Sequence, residues 1–136
     1  MGMVFADIVI RNAVDVYKAR YGFISQKDVR AVSTRALVDT GATTMIIPES
    51  TRKELGLAIE SAERVDVVGG EESAMVAEPV EIQWMNRSSF CRPWVIKGEQ
   101  QALLGAIPME EMDVIVHPAK ECLVGAHGDS PCGMVK

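Results

Sequence analysis

Aspartate is depleted in strands and costly to bury without a partner, so a carboxylate inside an apolar run needs a reason. Asp39 is such a residue, in Ala36-Leu37-Val38-Asp39-Thr40-Gly41-Ala42-Thr43-Thr44-Met45-Ile46-Ile47-Pro48. One apolar stretch leads to the acid, Thr40 and Gly41 turn the chain, and a second apolar stretch carries it away. Taken alone, Asp-x-Gly most often marks a turn in which the aspartate hydrogen-bonds its own backbone. The flanks ask for more than that. His117, Cys122, His127 and Cys132, each five residues from the last, are a second candidate set, all zinc-ligand types. Their spacing is not that of zinc ribbons or fingers, and Cys122 falls in an expected strand. A buried thiol with three incidental residues is the better reading. A Cys–His nucleophilic pair has no supporting signature, and no cofactor is called for.

Leu37-Val38-Asp39-Thr40-Gly41-Ala42 resembles the active-site loop of the retropepsin-like aspartic proteases: two apolar residues, Asp-Thr/Ser-Gly, then Ala or Ser. Downstream, Ala102-Leu103-Leu104-Gly105 with Ile107-Pro108-Met109 is similar to the apolar-apolar-Gly element before that family's short C-terminal helix. The order and separation of the two are those of one retropepsin-like subunit. Glu54-Leu55-Gly56-Leu57 resembles the end of the first helix in small bacterial single-domain members. The resemblance runs from about Val29 to Val124 and includes the opening strand. It implies an all-β fold, a retropepsin-like closed β-barrel with a flap hairpin and one or two short helices.

The activity implied is hydrolysis of peptide bonds, which needs an attacking water and an acid for the carbonyl oxygen and the leaving amine. Two carboxylates sharing one proton supply both. That is the established dyad chemistry of aspartic proteases, and it rests on like charges about 3 Å apart being unable to ionise together. The chain has one Asp-Thr-Gly; Asp7, Asp15, Asp28, Asp66, Asp113 and Asp129 lack its context. The resemblance therefore implies a homodimer whose two-fold axis sets Asp39 beside its own copy. It assigns Asp39, Thr40 and Gly41 to catalysis, with the Thr40 hydroxyl bonding across the axis. Gly41 allows close approach and offers an N–H to the carboxylate. Ala42 leaves room for a peptide substrate, and flap residues Val68, Gly69, Gly70 and Glu71 close over it. Leu103, Leu104 and Gly105 are expected beneath the loop as support for the acid. The rival reading is a catalytically inactive dimerisation or peptide-binding module on the same fold. Such a module has no use for a buried acid between Val38 and Thr40.

The elements that must position these residues read as follows. At 136 residues the chain is one domain, expected over 1–124, with an insertion at about 12–27 and a loose tail over 125–136. Aromatic residues make up 5% against 48% hydrophobic overall, so the core must be aliphatic. The net charge of -5 argues against a nucleic-acid partner. No apolar run approaches the roughly 20 residues that cross a bilayer, and Met1 to Asp7 lacks a signal peptide's basic start. The expected compartment is therefore the cytoplasm, with the cysteines reduced. Alternation predicts a strand over Val4–Ile10, and Asn12 is placed to cap a short helix to Arg20. Strands are expected over Val29–Val38 and Thr43–Ile47, then a helix opened by Pro48 and stopped by Gly56. Val65–Val68 and Ser73–Trp84 should flank a turn at Gly69-Gly70-Glu71-Glu72. Phe90–Ile96 is an expected strand interrupted by Pro93, which marks an edge or a bulge. Ala102–Leu104 is a short buried strand, and Pro108–Met112 a one-turn helix with Glu110 and Glu111 near its positive end. Asp113–Val116 and Glu121–Val124 close the domain.

Overall fold

The computed structural model describes residues 3–67, 69–117 and 119–128. Strand β1 (Phe5–Asn12) turns Ala6, Ile8, Ile10 and Asn12 inward and leaves Asp7 in solvent, the period-two pattern of a half-buried strand. It pairs antiparallel with β2 (Ala31–Val38) from Phe5↔Leu37 to Arg11↔Ala31, and on its other side with β6 (Val80–Trp84). The remaining strands of this sheet are β3 (Ile46–Ile47), β4 (Ile59–Val67), β5 (Gly70–Ala77), β7 (Arg87–Cys91), β8 (Trp94–Ile96) and β9 (Leu103–Leu104). Together they form one curled nine-stranded sheet in the order β4-β5-β8-β3-β9-β2-β1-β6-β7. A separate hairpin of β10 (Val114–His117) and β11 (Cys122–Gly125) ends the described chain. Three short α-helices, α1 (Ala13–Arg20), α2 (Glu49–Leu55) and α3 (Ala106–Met112), and a 3-10 turn at Gln26–Asp28 complete the described residues.

The core is aliphatic, as the composition requires. Ile10, Met45, Ile47, Leu55, Ile82 and Leu104 are fully buried, and no aromatic ring among the described residues is. Each such side chain contributes about 1.5–3 kcal/mol by leaving water.

Several boundaries differ from the sequence reading. Strand β3 is only Ile46–Ile47, because the carbonyls of Ala42 and Thr43 are drawn away to the first N–H groups of α3. Pro48 is the residue before α2 rather than its first, and Gly56 ends that helix in the left-handed region at φ 65°. Strand β4 starts six residues earlier than expected, at Ile59, and Glu60 to Arg64 are exposed on both faces. Backbone pairing to β5 defines it, not an apolar face. Val67 pairs with Gly70, so Glu71 and Glu72 belong to β5 and not to the turn. Ser73–Trp84 is two strands parted at Pro79, and Phe90–Ile96 is two strands parted at Pro93. Helix α3 begins at Ala106, which leaves Glu110 and Glu111 in its last turn, the negative end. Glu111 Oε1 is occupied there by the Phe90 backbone N–H at 3.1 Å.

The insertion is bolted down at its start. The Asn12 side chain caps α1 by accepting from Asp15 N at 3.1 Å, and its Nδ2 donates to Leu55 O at 2.8 Å, tying α1 to the end of α2. Asp15 is buried and receives three bonds from Arg30, from Nε at 2.8 Å, Nη2 at 3.0 Å and the backbone N at 3.1 Å. The Arg30 guanidinium lies where a Cβ on Gly56 would stand. At the other end of the chain Arg87, its side chain 2% exposed, donates Nη1 to Met112 O at 3.1 Å and Nη2 to Gly128 O. It also lies 3.8 Å from the Asp113 carboxylate, so one guanidinium joins β7, the end of α3 and the exit from β11.

Arg30's side-chain hydrogen bonds hold the Asp15 carboxyl below the usual carboxylate range, against the opposing effect of burial. A folded pKa below the unfolded value of about 3.9 gives stability that is complete above that value. It is lost as pH falls through the folded pKa. Asp15→Asn should therefore shrink the loss of urea stability between pH 5 and pH 2; an acid limb of unchanged depth would show that the pair contributes nothing.

Candidate active site

The loop bearing Asp39 is fixed by a strand that arrives from far along the chain. β9 lies between β2 and β3, the strands that enter and leave the loop. It pairs parallel with β2 (Leu37↔Leu103, Val38↔Leu104) and antiparallel with β3 (Ile46↔Leu103). Asp39 N donates to Leu104 O at 3.0 Å, and Leu37 N to Ala102 O at 2.8 Å. The first two N–H groups of α3 reach back into the loop, Ala106 N to Ala42 O at 2.8 Å and Ile107 N to Thr43 O at 3.0 Å. Such N–H groups have no partner within their own helix, so the loop carbonyls satisfy both sides.

Gly105 makes this approach possible. A Cβ there would lie 2.2 Å from Thr44 O and 2.6 Å from Ala42 O, both backbone atoms that cannot swing aside. The support expected from Leu103, Leu104 and Gly105 is thus made largely by backbone hydrogen bonds, with Leu104 buried below.

Within the loop, Gly41 N donates to Asp39 Oδ1 at 2.9 Å, and Ala42 N to Asp39 O at 3.1 Å. A Cβ at Gly41 would crowd Asp39 Oδ1 to 3.2 Å. The N–H expected of Gly41 is in place. Asp39 itself is half-buried in the single chain rather than buried, and Thr40 and Gly41 are exposed beside it, with Ala42 half-buried. The loop presents its acid outward. Among the described residues, no other carboxylate is hydrogen-bonded to Asp39. Asp15 is committed to Arg30, and Asp113 lies against Arg87 and His127.

The β4–β5 hairpin turns at Gly69 and Gly70, both in the left-handed half of backbone space at φ 98° and 133°. Val68 lies outside the described residues, and of Glu71 the backbone alone is described, as the partner of Asp66. Sequence reading missed the backbone of Thr43 and Thr44, whose carbonyls carry and limit the approach of α3. The pair of threonines directly after Gly41-Ala42 was the available signal, since such residues favour turns over strands.

The other chemical candidates disperse. His127 Nδ1 lies 2.8 Å from Asp113 Oδ1, and His117 Nδ1 accepts from Lys120 N at 3.1 Å. Cys122 pairs opposite His117 in the hairpin, and Cys132 lies outside the described residues. Among the described residues no three metal-ligating groups converge. Burial pushes the Cys91 thiol up to about 11, against weaker opposing hydrogen bonds from Thr44 and the Met45 backbone, so it is no thiolate nucleophile at neutral pH.

A family model described as aspartyl protease matches residues 26–125, which takes in the Asp39 loop, the hairpin, β9 and α3. The chain belongs to the aspartyl protease family. A search of curated proteins gives no match to this chain. Among solved structures it resembles EIAV protease complexed with the inhibitor HBY-793, with a TM-score of 0.55 at 17% identity. The match covers 80% of this chain and 86% of that one, and at this identity it speaks for the fold alone: retropepsin-like and mostly β. Among the described residues, no helix is long and apolar enough to cross a membrane.

Gly105→Ala should destabilise the protein by about 3 kcal/mol or more, because backbone must move to admit one methyl group. Urea unfolding measures this. A cost below about 1 kcal/mol would mean that α3 can withdraw from the loop without consequence.

Proposed function

We propose that the protein is an aspartic endopeptidase whose dyad is Asp39 from each subunit of a homodimer. The reading is carried by one observation: a single Asp-Thr-Gly loop is rigidly seated on β9 and α3, with Thr40 and Gly41 left exposed beside a half-buried acid. A two-fold axis through that exposed edge brings the second carboxylate to the first. One Asp39, ionised, takes a proton from a water whose oxygen attacks the scissile carbonyl carbon. The other, protonated, gives its proton to the carbonyl oxygen. The tetrahedral intermediate collapses as a carboxyl proton passes to the amide nitrogen and the C–N bond breaks. Each Gly41 N–H holds its carboxylate in orientation, and each Thr40 hydroxyl bonds across the axis.

Extended peptide then lies between the dyad and the β4–β5 hairpin. Val68, Gly69, Gly70 and Glu71 form the flap that excludes water, and Ala42 leaves space at the floor. Subsites are mainly apolar. The reaction uses no metal or other cofactor, and the setting is cytoplasmic.

Asp39→Ala, at unchanged urea stability, should lower single-turnover peptide cleavage by about 10²–10⁴-fold or more. Mixing wild type with Asp39→Asn separates a shared dyad from a site complete in one chain. With subunits exchanged, activity should fall as the square of the wild-type fraction. A linear fall would overturn the dimer reading, and cleavage undiminished in Asp39→Ala would overturn the assignment of the acid. If the dimer forms but cleaves nothing, the fold serves as a binding module.

A further inference from the structure

Helix α1 and the turn after it carry a surface that the Asp39 site does not use. The chain has three phenylalanines, two tryptophans and two tyrosines, and both tyrosines and two phenylalanines meet here. Val14, Tyr17, Tyr21, Phe23, Pro79 and Phe90 line an open groove of about 470 Å³. The Tyr17 ring lies 6.5 Å from that of Tyr21 and 5.5 Å from that of Phe90. Tyr21 and Phe23 are 70% and 79% exposed. A contiguous apolar face of this kind, rich in Tyr and Phe, is the composition of a recognition surface.

Charge says what would cover it. Lys18 lines the groove, and the Arg20 guanidinium lies 4.7 Å over the Tyr17 ring. Both are exposed, and among the described residues no ion pair holds either. No acid lines the groove among the described residues, and Asp15, on the same helix, faces inward to Arg30. In a chain of net charge -5, the lining of this aromatic groove carries a lysine, with Arg20 over one of its rings, and no acid. A second copy presenting this same face would bring no acid from its lining to meet Lys18 and Arg20. Two cations on a concave groove are also few for a flat anionic membrane, where each contributes only about 1 kcal/mol.

The groove is remote from the acid. The β1–β2 ladder runs from Phe5↔Leu37, next to the Asp39 loop, to Arg11↔Ala31 at the foot of α1. Six register steps at about 3.3 Å put the two ends roughly 20 Å apart. A dimer built through Asp39 leaves the groove open. Helix α1 also precedes residues 26–125, the stretch shared with the aspartyl protease family.

We propose that this groove docks an acidic polypeptide segment of a partner protein. Apolar or aromatic side chains of the segment rest on Tyr17, Tyr21 and Phe90, and its carboxylates face Lys18 and Arg20. The inference is independent of the dyad.

Because the protein's two tyrosines both lie in the groove, full-length chain labelled with 3-fluorotyrosine gives two ¹⁹F resonances that report on it alone. The probes are a peptide of Glu interspersed with Phe and Leu, its Lys-for-Glu counterpart and its Ser-for-Phe/Leu counterpart. The acidic apolar peptide should shift both resonances saturably, with the two counterparts about tenfold weaker or worse. Phe23→Ser and Lys18→Glu, both at exposed positions, should each weaken binding about tenfold at an unchanged urea midpoint. Four results would overturn the proposal: no shift with the acidic peptide, equal shifts with the Lys peptide, the same shifts on concentrating the protein alone, or shifts only with phosphatidylserine vesicles.

Discussion

The structure depends on one placement: β9 between β2 and β3. Two-residue strands are too short to hold themselves, yet β9 takes hydrogen bonds on both sides and feeds α3 straight into the loop carbonyls. Each backbone hydrogen bond is worth about 1 kcal/mol net, but leaving one unmade in a buried setting costs more. That asymmetry fixes the loop. Asp39 N–H has Leu104 O, Ala42 O has Ala106 N–H, and Thr43 O has Ile107 N–H, so the loop cannot shift without orphaning several groups at once. Gly105 is the geometric condition for the arrangement, since the gap it crosses is narrower than a methyl group.

How much of this was legible follows from what each residue has to do. Asp39-Thr40-Gly41 and Leu103-Leu104-Gly105 were readable through their resemblance to a family motif, and the structure gives the physical reason for each glycine: one supplies an N–H to the carboxylate, the other lets backbone meet backbone. β1 and the Asn12 cap were readable locally, one by alternation and the other by a side chain suited to cap. β4 was not. Glu60 to Arg64 lie on both faces of an exposed arm, and a strand held by its ladder alone leaves no apolar period in the sequence. The start of α3 was misplaced because Pro108 suits any position in a first turn, where an N–H has no intrahelical partner to lose. Asp15 and Arg30 could not be matched from sequence, since nothing in either residue names a partner fifteen positions away.

The two ends of the chain are held by guanidinium groups working in different surroundings. Arg30 is half-exposed and braces a buried carboxylate, which fixes α1 to the start of β2. Arg87 is itself buried and spends its forked donors mainly on main-chain carbonyls, which fixes the C-terminal hairpin to β7. A lysine has the charge but not the fork, and could not bridge three separate segments from one position. Among the described residues no ring is fully buried in the aliphatic core, where Trp84 packs at its margin, and Tyr17, Tyr21, Phe23 and Phe90 gather beside α1.

The position of β9 also orders events during synthesis. Asp39 leaves the ribosome with β1 and β2 already made, but the strand that seats it follows α2, the hairpin and β8. Until Ile107 has emerged, the carboxylate rides on an unanchored turn whose N–H and carbonyl groups face water. Closing so long a loop adds little entropy cost beyond that of a shorter one. What it imposes is sequence in time: the nascent chain carries Asp39 without its seat until β9 and the start of α3 have been made.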